Sequence, residues 1–208
     1  MTEYVLVGGG AFAREIFDWF TPGMAEVGDR FVGYLDDGDQ PFRAHGRDLP
    51  QLGDTHGYQA KSSQRLVMAV GAPAGKQALA ERLTGLGGLF ATLVHPRAWV
   101  SASARLGQGT VIGPFADVSA DARSGDFVTL NAYASIGHDA QVGDYSTLSG
   151  YVDLMGGVKV GVASFLGSGA RILPGLRIGN GCMIGAGAVV VRGAADGVTL
   201  YAAPARRL

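Results

Sequence analysis

From Val100 onward the chain obeys a period of six that never slips. Every sixth residue (Val100, Leu106, Ile112, Val118, Ser124, Leu130, Ile136, Val142, Leu148, Leu154, Val160, Leu166, Ile172, Ile178, Ile184 and Val190) is aliphatic in fifteen of sixteen cases. Glycine occupies the next position in nine of them, and four residues after the aliphatic one the chain prefers small side chains such as Ala104, Thr110, Ala116, Ala140, Ser146 and Ala188. A helix repeats every 3.6 residues and a strand every 2, so neither alone produces a strict six. A triangular prism does: three short strands joined by turns make one coil of eighteen residues, and each hexapeptide supplies one face. The aliphatic residue then points inward and stacks on its counterpart one coil away, and the small residue fills the tighter inward position beside it. Sixteen hexapeptides make about five coils, or about 25 Å at the spacing of hydrogen-bonded strands. An ordinary β-sandwich would instead place its turns at irregular gaps of roughly 8–12 residues.

The composition agrees with tight turns. Glycine makes up 34 of 208 residues, more than twice the usual share of roughly 7%, with no collagen triplet and with valine and isoleucine interspersed. Glycine at the position after the aliphatic residue is expected to ease the bends between faces, where a positive φ is needed. Trp99 is expected to pack against the first coil and cap the open end of the prism.

The first ninety residues read differently. "EYVLVGGGAFAREIFDWF" is a short apolar strand, a glycine turn and a helix with Ile16, Phe17 and Phe20 at helical spacing. "RFVGYLDD" is a second strand ending in Asp36 and Asp37. "RLVMAVGAP" is a third ending at Gly71, followed by the helix-like "GKQALAERLTGLG". Strands alternating with helices predict a small parallel α/β domain, whose ligands sit at the carboxyl ends of the strands. Gly8 to Phe12, Asp36–Asp37 and Gly71 all fall there. "GGGAFA" by itself is an incomplete dinucleotide fingerprint, because Ala13 stands at its last position and Asp36 is farther on than the usual ribose acid. Glycines that only let strand and helix pack closely also explain it; what favours a ligand is that three strand ends converge there with glycine or carboxylate. No catalytic domain of dehydrogenase type follows.

Charge and cysteine content narrow the class. The net charge is −1 with no sizeable basic cluster, so nucleic acid is not an expected partner. No run of eighteen apolar residues predicts a membrane span, and the first residues lack the pattern of a secretory signal. Cys182 is the single cysteine, which suits a cytoplasmic protein without disulfides. Four histidines and one cysteine show no metal-ligand spacing, so no metal is expected. His45 and His56 lie in a polar loop and read as solvated. His95, before Pro96, reads as structural.

His138 stands apart. It follows inward Ile136 by two residues and Gly137 by one, hence near a turn, and Asp139 comes next. A prism interior of Val, Ile and Ala has no use for imidazole. Histidine titrates near neutral pH and can take and return a proton. An adjacent carboxylate orients such a ring, as in a catalytic triad. Neighbouring residues of an extended segment point oppositely, so a His138–Asp139 contact requires a turn or a second subunit.

The combination of lobe and prism resembles the bacterial sialic-acid/bacillosamine-type sugar acetyltransferases over essentially the whole chain. The markers are "VGGGAFARE", "GYLDD", "AVGAP", "LVHPRAWVSASARLGQGTVI", "NAYASIGHDAQVGDYSTLS", "GGVKVG", "IGAGAVV" and the closing "APARRL". The resemblance implies a Rossmann-like nucleotide-sugar-binding domain over 1–94 and a left-handed parallel β-helix over 95–208, a known exception to right-handed crossovers. It also implies a homotrimer with active sites between subunits, and acetyl-CoA as donor. His138 then corresponds to the general base with Asp139 as its acidic neighbour, and Asn131 to a residue near the catalytic site, although an asparagine tolerating a turn explains position 131 as well. Acetyl-CoA contacts carry over to Gly156, Ser168 and Ala186, with Gly156 one coil beyond His138. Nucleotide-sugar contacts carry over to Gly10, Ala11, Phe12, Asp36, Asp37 and Gly71, the two carboxylates suiting base or ribose hydroxyls better than a diphosphate. The chain departs from the pattern at Thr147, where some members carry a histidine contacting coenzyme A, at Phe12, where some carry a histidine, and at Ala11, where glycine is common.

The expected activity is therefore acetyl-CoA-dependent N-acetylation of a nucleotide-linked amino-deoxy sugar in the synthesis of surface-glycan or glycosylation precursors. Two alternatives stand beside it: sugar O-acetylation of the sialic-acid type, and a non-catalytic nucleotide-binding trimeric scaffold, against which the retained His138–Asp139 pair argues.

Overall fold

The computed structural model describes residues 1–38, 42 and 45–203; the marker "APARRL" lies outside the described residues beyond Ala203. The chain opens with β1 (Glu3–Val7), α1 (Ala11–Glu26), β2 (Arg30–Leu35), β3 (Gln51–Gly53), β4 (Gln64–Met68) and α2 (Pro73–Gly85). The four strands form one parallel sheet in the order β3-β2-β1-β4. Side chains of β1 alternate between its faces. Leu6 packs with the α1 stripe Ala13, Ile16, Phe20 and Met24, and Val5 and Val7 pack with Ala80 and Leu83 of α2. One helix thus covers each face.

The remainder is a parallel β-helix. Its two-residue strands assemble into sheets of seven, six and four strands. The seven-stranded face starts at β5 (Leu93–Val94) and ends at Thr199–Leu200. The six-stranded face runs from Trp99–Val100 to Val189–Val190, and the four-stranded face from Arg123–Ser124 to Arg177–Ile178. Within each face a strand pairs with those eighteen residues away, as Thr129 with Thr147 and Ser135 with Asp153; the last step, Ile184 to Leu200, shortens to sixteen. Every hexad residue from Ile112 to Val190 is buried, including Ser124. The small inward residues form a second column, in which Ser146, Ser164 and Cys182 pass hydrogen bonds from coil to coil.

Glycine plays two parts. The left-handed φ falls two residues later, at Phe115, Asp121, Phe127, Tyr133, Asp139, Tyr145, Tyr151 and Ala163, with φ between 53° and 62°, and in other coils at glycines such as Gly109, Gly157, Gly169 and Gly187. At every non-glycine corner but Asp121, whose N–H donates to Ser103 Oγ at 3.0 Å, the N–H donates to a carbonyl of the preceding coil, as Asp139 N to Ala120 O at 3.1 Å and Tyr145 N to Asp126 O at 2.8 Å. Glycine after the aliphatic residue answers to crowding. A β-carbon on Gly143 would lie 2.6 Å from the backbone of Gly161 and Val162 in the next coil. Trp99 also departs from expectation: it is 68% exposed, an outward residue of the six-stranded face and no cap.

Lobe and prism share their cores. Leu93 and Val111 join the cluster beneath α1, and Phe127 joins the one beneath α2, where Phe90 meets it edge-on with ring centroids 4.9 Å apart. At the centre of this joint Lys76 of α2 is fully buried. Its Nζ lies 2.9 Å from Thr129 Oγ1, 2.8 Å from Thr147 Oγ1 and 3.1 Å from Ser146 O. Burial disfavours the charged form and pushes the amine down to about 7.

Two outcomes follow from these contacts. Gly143→Ala should cost more than about 2 kcal/mol of stability, because the clash is with backbone that cannot rotate away. Gly157→Ala, at φ +71° with its nearest neighbour 3.8 Å away, should cost only the left-handed penalty of about 1–2 kcal/mol; denaturant titration of both ranks them. Between pH 7 and pH 9.5 the unfolded chain holds a Lys76 proton that the folded chain releases, so stability should rise with pH across that window. The contribution is about 2–3 kcal/mol, and unfolding at the two pH values, compared with Lys76→Met, isolates it.

Candidate active site

The His138–Asp139 pair forms within a single turn. Residue 139 adopts φ 60°, which swings its carboxylate to the side of the preceding residue. His138 Nδ1 lies 2.9 Å from Asp139 Oδ2. Both side chains are open to solvent, at 71% and 68% exposure. A bond from Nδ1–H to the carboxylate leaves Nε2 as the unprotonated nitrogen, its lone pair free. The corner is lined by small residues: Ala120 stands one coil before His138 and Gly156 one coil after, each coil bonded to the next through Asp139 N to Ala120 O and Gly157 N to His138 O at 2.8 Å. A β-carbon on residue 156 would overlap the imidazole, with Nε2 the first atom met. Glycine at 156 therefore makes the room that the ring occupies.

Asn131 sits at the other end of the same face, at the corner between the seven- and six-stranded sheets. Its backbone is not left-handed; that role belongs to Tyr133, so turn conformation does not explain the asparagine. Its Oδ1 is buried without a hydrogen-bond partner. It lines a cleft of about 550 Å³ with Glu15 and Trp19 of α1 and with Tyr133, Tyr151 and Ser168. Ser168 and Ala186 occupy successive coils of this corner, joined by Gly187 N to Ser168 O at 2.9 Å. The chain thus brings His138, Asp139 and Gly156 together at one edge of the six-stranded face. It gathers Asn131, Ser168 and Ala186 at the other edge.

The sheet edge of the lobe collects the remaining candidates. Gly10 is the N-cap of α1, and neither α1 nor α2 has a side-chain cap, so the first-turn N–H groups of both helices point freely toward the strand ends. Asp36 holds this edge in shape: Oδ2 accepts from Gly9 N at 2.6 Å and Oδ1 from Gly38 N at 2.8 Å. Asp37 turns away from it. It accepts from Thr55 N at 2.8 Å and Thr55 Oγ1 at 3.0 Å, lies 3.5 Å from Arg82 Nη1, and is held below the usual carboxylate range chiefly by the Thr55 amide. Phe12 packs edge-on against Trp19. The Gly71 carbonyl accepts from Thr147 Oγ1 at 2.8 Å; Thr147, a departure from the coenzyme-contacting histidine, is a buried part of the joint between lobe and prism.

The other histidines are ancillary. His56 is exposed, 3.6 Å from Asp37. His95 packs on Phe20, accepts from Arg97 N at 3.1 Å, and is lowered from its ordinary pKa by burial. Among the described residues no group of three or more His, Cys, Asp or Glu side chains could hold a metal ion, and no helix is long and apolar enough to cross a membrane.

Sequence reasoning did not single out Lys76, Glu15, Trp19, Tyr133 or Tyr151. Lys76 had a signal, since Lys76, Ala80 and Leu83 are the buried stripe of α2, and a lysine on an apolar helical stripe asks for acceptors. The aromatics had one too, because Phe115, Tyr133 and Tyr151 stand eighteen residues apart and stack at 4.9 and 4.8 Å.

No family model matches the chain, and no curated protein sequence matches it. Solved structures do. The acetyltransferase domain of PglB from Neisseria gonorrhoeae FA1090, in complex with acetyl coenzyme A, is 29% identical, with 99% of this chain and 98% of that chain covered at a TM-score of 0.86. The perosamine N-acetyltransferase of Caulobacter crescentus, solved as a histidine-to-asparagine mutant with CoA and GDP-perosamine, is 30% identical, with 99% and 96% covered at a TM-score of 0.84. WeeI from Acinetobacter baumannii AYE is 23% identical over the whole of both chains at a TM-score of 0.85, a likeness of fold.

The crowding at residue 156 gives a direct test. In Gly156→Ala the movable imidazole yields before the backbone does. The fold should keep its stability within about 1 kcal/mol, since the exposed ring can rotate away, while coenzyme A thiol release falls at least tenfold. Thermal unfolding and turnover measured on the same preparation separate the two effects.

Proposed function

The chain belongs to the bacterial nucleotide-sugar acetyltransferases of the hexapeptide-repeat family, and on that premise we propose that it acetylates the amine of a nucleotide-linked amino-deoxy sugar, with acetyl-CoA as donor and His138 as general base. The observation that carries this reading is the exposed His138–Asp139 pair, with Nε2 unengaged beside Gly156. The full-length likeness to an enzyme solved with CoA and GDP-perosamine supports the substrate class.

The chemistry runs as an acyl transfer from a thioester. As the sugar amine attacks the acetyl carbonyl, a C–N bond forms and the amine proton passes to Nε2. Collapse of the tetrahedral intermediate breaks the C–S bond, and the same proton goes to the departing thiolate. Asp139 keeps the ring in the tautomer that accepts at Nε2 and stabilises the imidazolium that forms. Gly156, Ser168 and Ala186 are proposed to contact acetyl-CoA through backbone, their small side chains leaving room for the pantetheine arm. Asn131, whose Oδ1 lacks a partner, is proposed to bind at the reacting end.

The remaining assignments belong to the same reading. The lobe, expected over 1–94, is Rossmann-like and holds the nucleotide sugar, although its last two residues, Leu93–Val94, already pair with the prism; the left-handed β-helix that follows carries catalysis. Gly10, Ala11 and Phe12 offer helix N–H groups suited to a diphosphate. Asp36, Asp37 and Gly71 border the nucleotide, with Asp36 acting first through the turn it holds. The protein works in the cytoplasm as a homotrimer with active sites between subunits. The separation of His138 from Asn131, Ser168 and Ala186 across one face supports this, because a second copy packed beside that face would bring the two edges together.

The test is thiol release from acetyl-CoA with UDP-, GDP- and dTDP-linked 4-amino sugars. Turnover is expected with one of them, and His138→Ala should lower it at least about a hundredfold. No release with any amino sugar, while coenzyme A still binds, would sink the reading.

A further inference from the structure

We propose that Lys76 is a positioning residue that fixes which coil of the prism the α/β lobe docks on, and so registers the lobe against the coil that carries Asn131 and His138. The inference rests on the functional reading above for its consequence in catalysis, and on the joint itself for its geometry.

The side chain is fully buried, and among the described residues no carboxylate pairs with it. It is nonetheless satisfied. Thr147 Oγ1 donates to Gly71 O and therefore accepts from Lys76; Ser146 O accepts as well; Thr129 Oγ1 completes the set. An ammonium donates to all three. A neutral amine donates to the first two and accepts from Thr129, so the three contacts survive either protonation state.

Stability alone does not call for such a residue. A methionine or leucine would fill the same volume without desolvating an amine, and replacing buried ionic groups by apolar ones is often neutral or stabilising. What an apolar contact cannot do on this surface is choose a position. The backbone ties the lobe to the first rung, where Phe90 bridges Leu66 and Leu93 pairs with Val111, but about that tether a lobe seated by shape and hydrophobicity can still pivot along rungs about 4.8 Å apart. The outward residues of the docking face are Leu93, Val111, Thr129, Thr147, Phe165, Met183 and Thr199. Two hydroxyls on adjacent rungs occur only at Thr129 and Thr147, and directional hydrogen bonds to that pair are satisfied at one register.

The pair lies on the coils that matter. Thr129 precedes Asn131 by two residues, and Thr147 follows His138 by nine. Through Thr147 the lock reaches Gly71, between β4 and the uncapped start of α2, where the nucleotide sugar is proposed to bind. Lys76 therefore spaces that edge from the catalytic coil.

The experiment compares wild type with Lys76→Met and Thr147→Val. Both variants should fold with near-native unfolding midpoints at pH 7 and bind acetyl-CoA and the nucleotide sugar within about threefold of wild type. Their kcat should fall at least tenfold. Combining them should cost no more than the worse single variant, because one lock is removed once. Unchanged kcat, additive losses, or a kcat loss matched by lost affinity for one ligand would overturn the proposal. If Lys76→Met does not fold, Thr147→Val carries the same readouts alone. Wild type without turnover on any amino sugar would defeat the functional reading but not this one. Amide hydrogen exchange over residues 71–75 decides it then: exchange at least tenfold faster in the variants at equal global stability supports the lock, and equal exchange overturns it.

Discussion

Everything in this molecule is set by the eighteen-residue ladder in which each coil hands its backbone hydrogen bonds to the next. Strand amides meet carbonyls seventeen residues on, as Thr129 N meets Ser146 O, and the left-handed corner residues donate back to the previous coil. With faces and corners both bonded, no residue can shift without moving its neighbours in the column. A hexad position thereby becomes a line in space. Aliphatic residues make the interior line, small residues make the line beside it, and glycine stands wherever the next coil's backbone comes too near for a β-carbon. The same ladder explains why chemistry sits at corners: face positions look out between close strands, whereas a corner can turn two consecutive side chains to one side.

The lobe joins this ladder by two different kinds of contact. Phe90 against Phe127, and Val111 under α1, supply apolar burial that is strong but largely non-directional. Lys76 contributes little net stability at neutral pH, where its burial holds the amine near its titration point, yet its three acceptors define a position. Burial and specificity are thus carried by separate residues. The corner aromatics show a related division. Phe127 and Tyr145 stack beneath the lobe, whereas Phe115, Tyr133 and Tyr151 stack along the edge that also carries Asn131.

The interior of the prism was legible because its period is enforced by packing, and packing leaves its mark on every sixth residue. The alternation of strands and helices in the first ninety residues was legible for the same reason. Misreadings arose where one residue type serves two physical purposes. Glycine at the position after the aliphatic residue looked like a turn former and is a spacer, while the left-handed turns two residues on are held by Phe, Tyr, Asp, Ala163 and a second set of glycines such as Gly157 and Gly169. Trp99 looked like a cap because large aromatics usually seek burial, but its place one residue before inward Val100 faces it outward. Lys76 escaped notice because its partners lie more than fifty residues away, and only the folded joint brings them together. The division of the candidate site between two edges of one face followed from the hexad count, since residues 131 and 138 differ by one hexad plus one, yet a list of candidate residues does not display it.

Position 139 shows how the fold makes its own chemistry. A left-handed φ at a residue other than glycine costs about 1–2 kcal/mol, and the prism meets that cost at eight non-glycine corners. At Tyr133 and Tyr151 ring stacking across coils offsets it. At Asp139 the column offers no such compensation, as its neighbours are Asp121 and Gly157, and glycine there would relieve the strain outright. The aspartate gains only its contact with His138 Nδ1, an exposed pair worth at most about 1 kcal/mol to stability. Aspartate tolerates a left-handed φ, as Asp121 one coil earlier shows, so what sets Asp139 apart is the imidazole its carboxylate meets. That contact is readily explained if the imidazole must be held in one tautomer, because a left-handed corner is the device by which two adjacent residues of an extended chain can face each other.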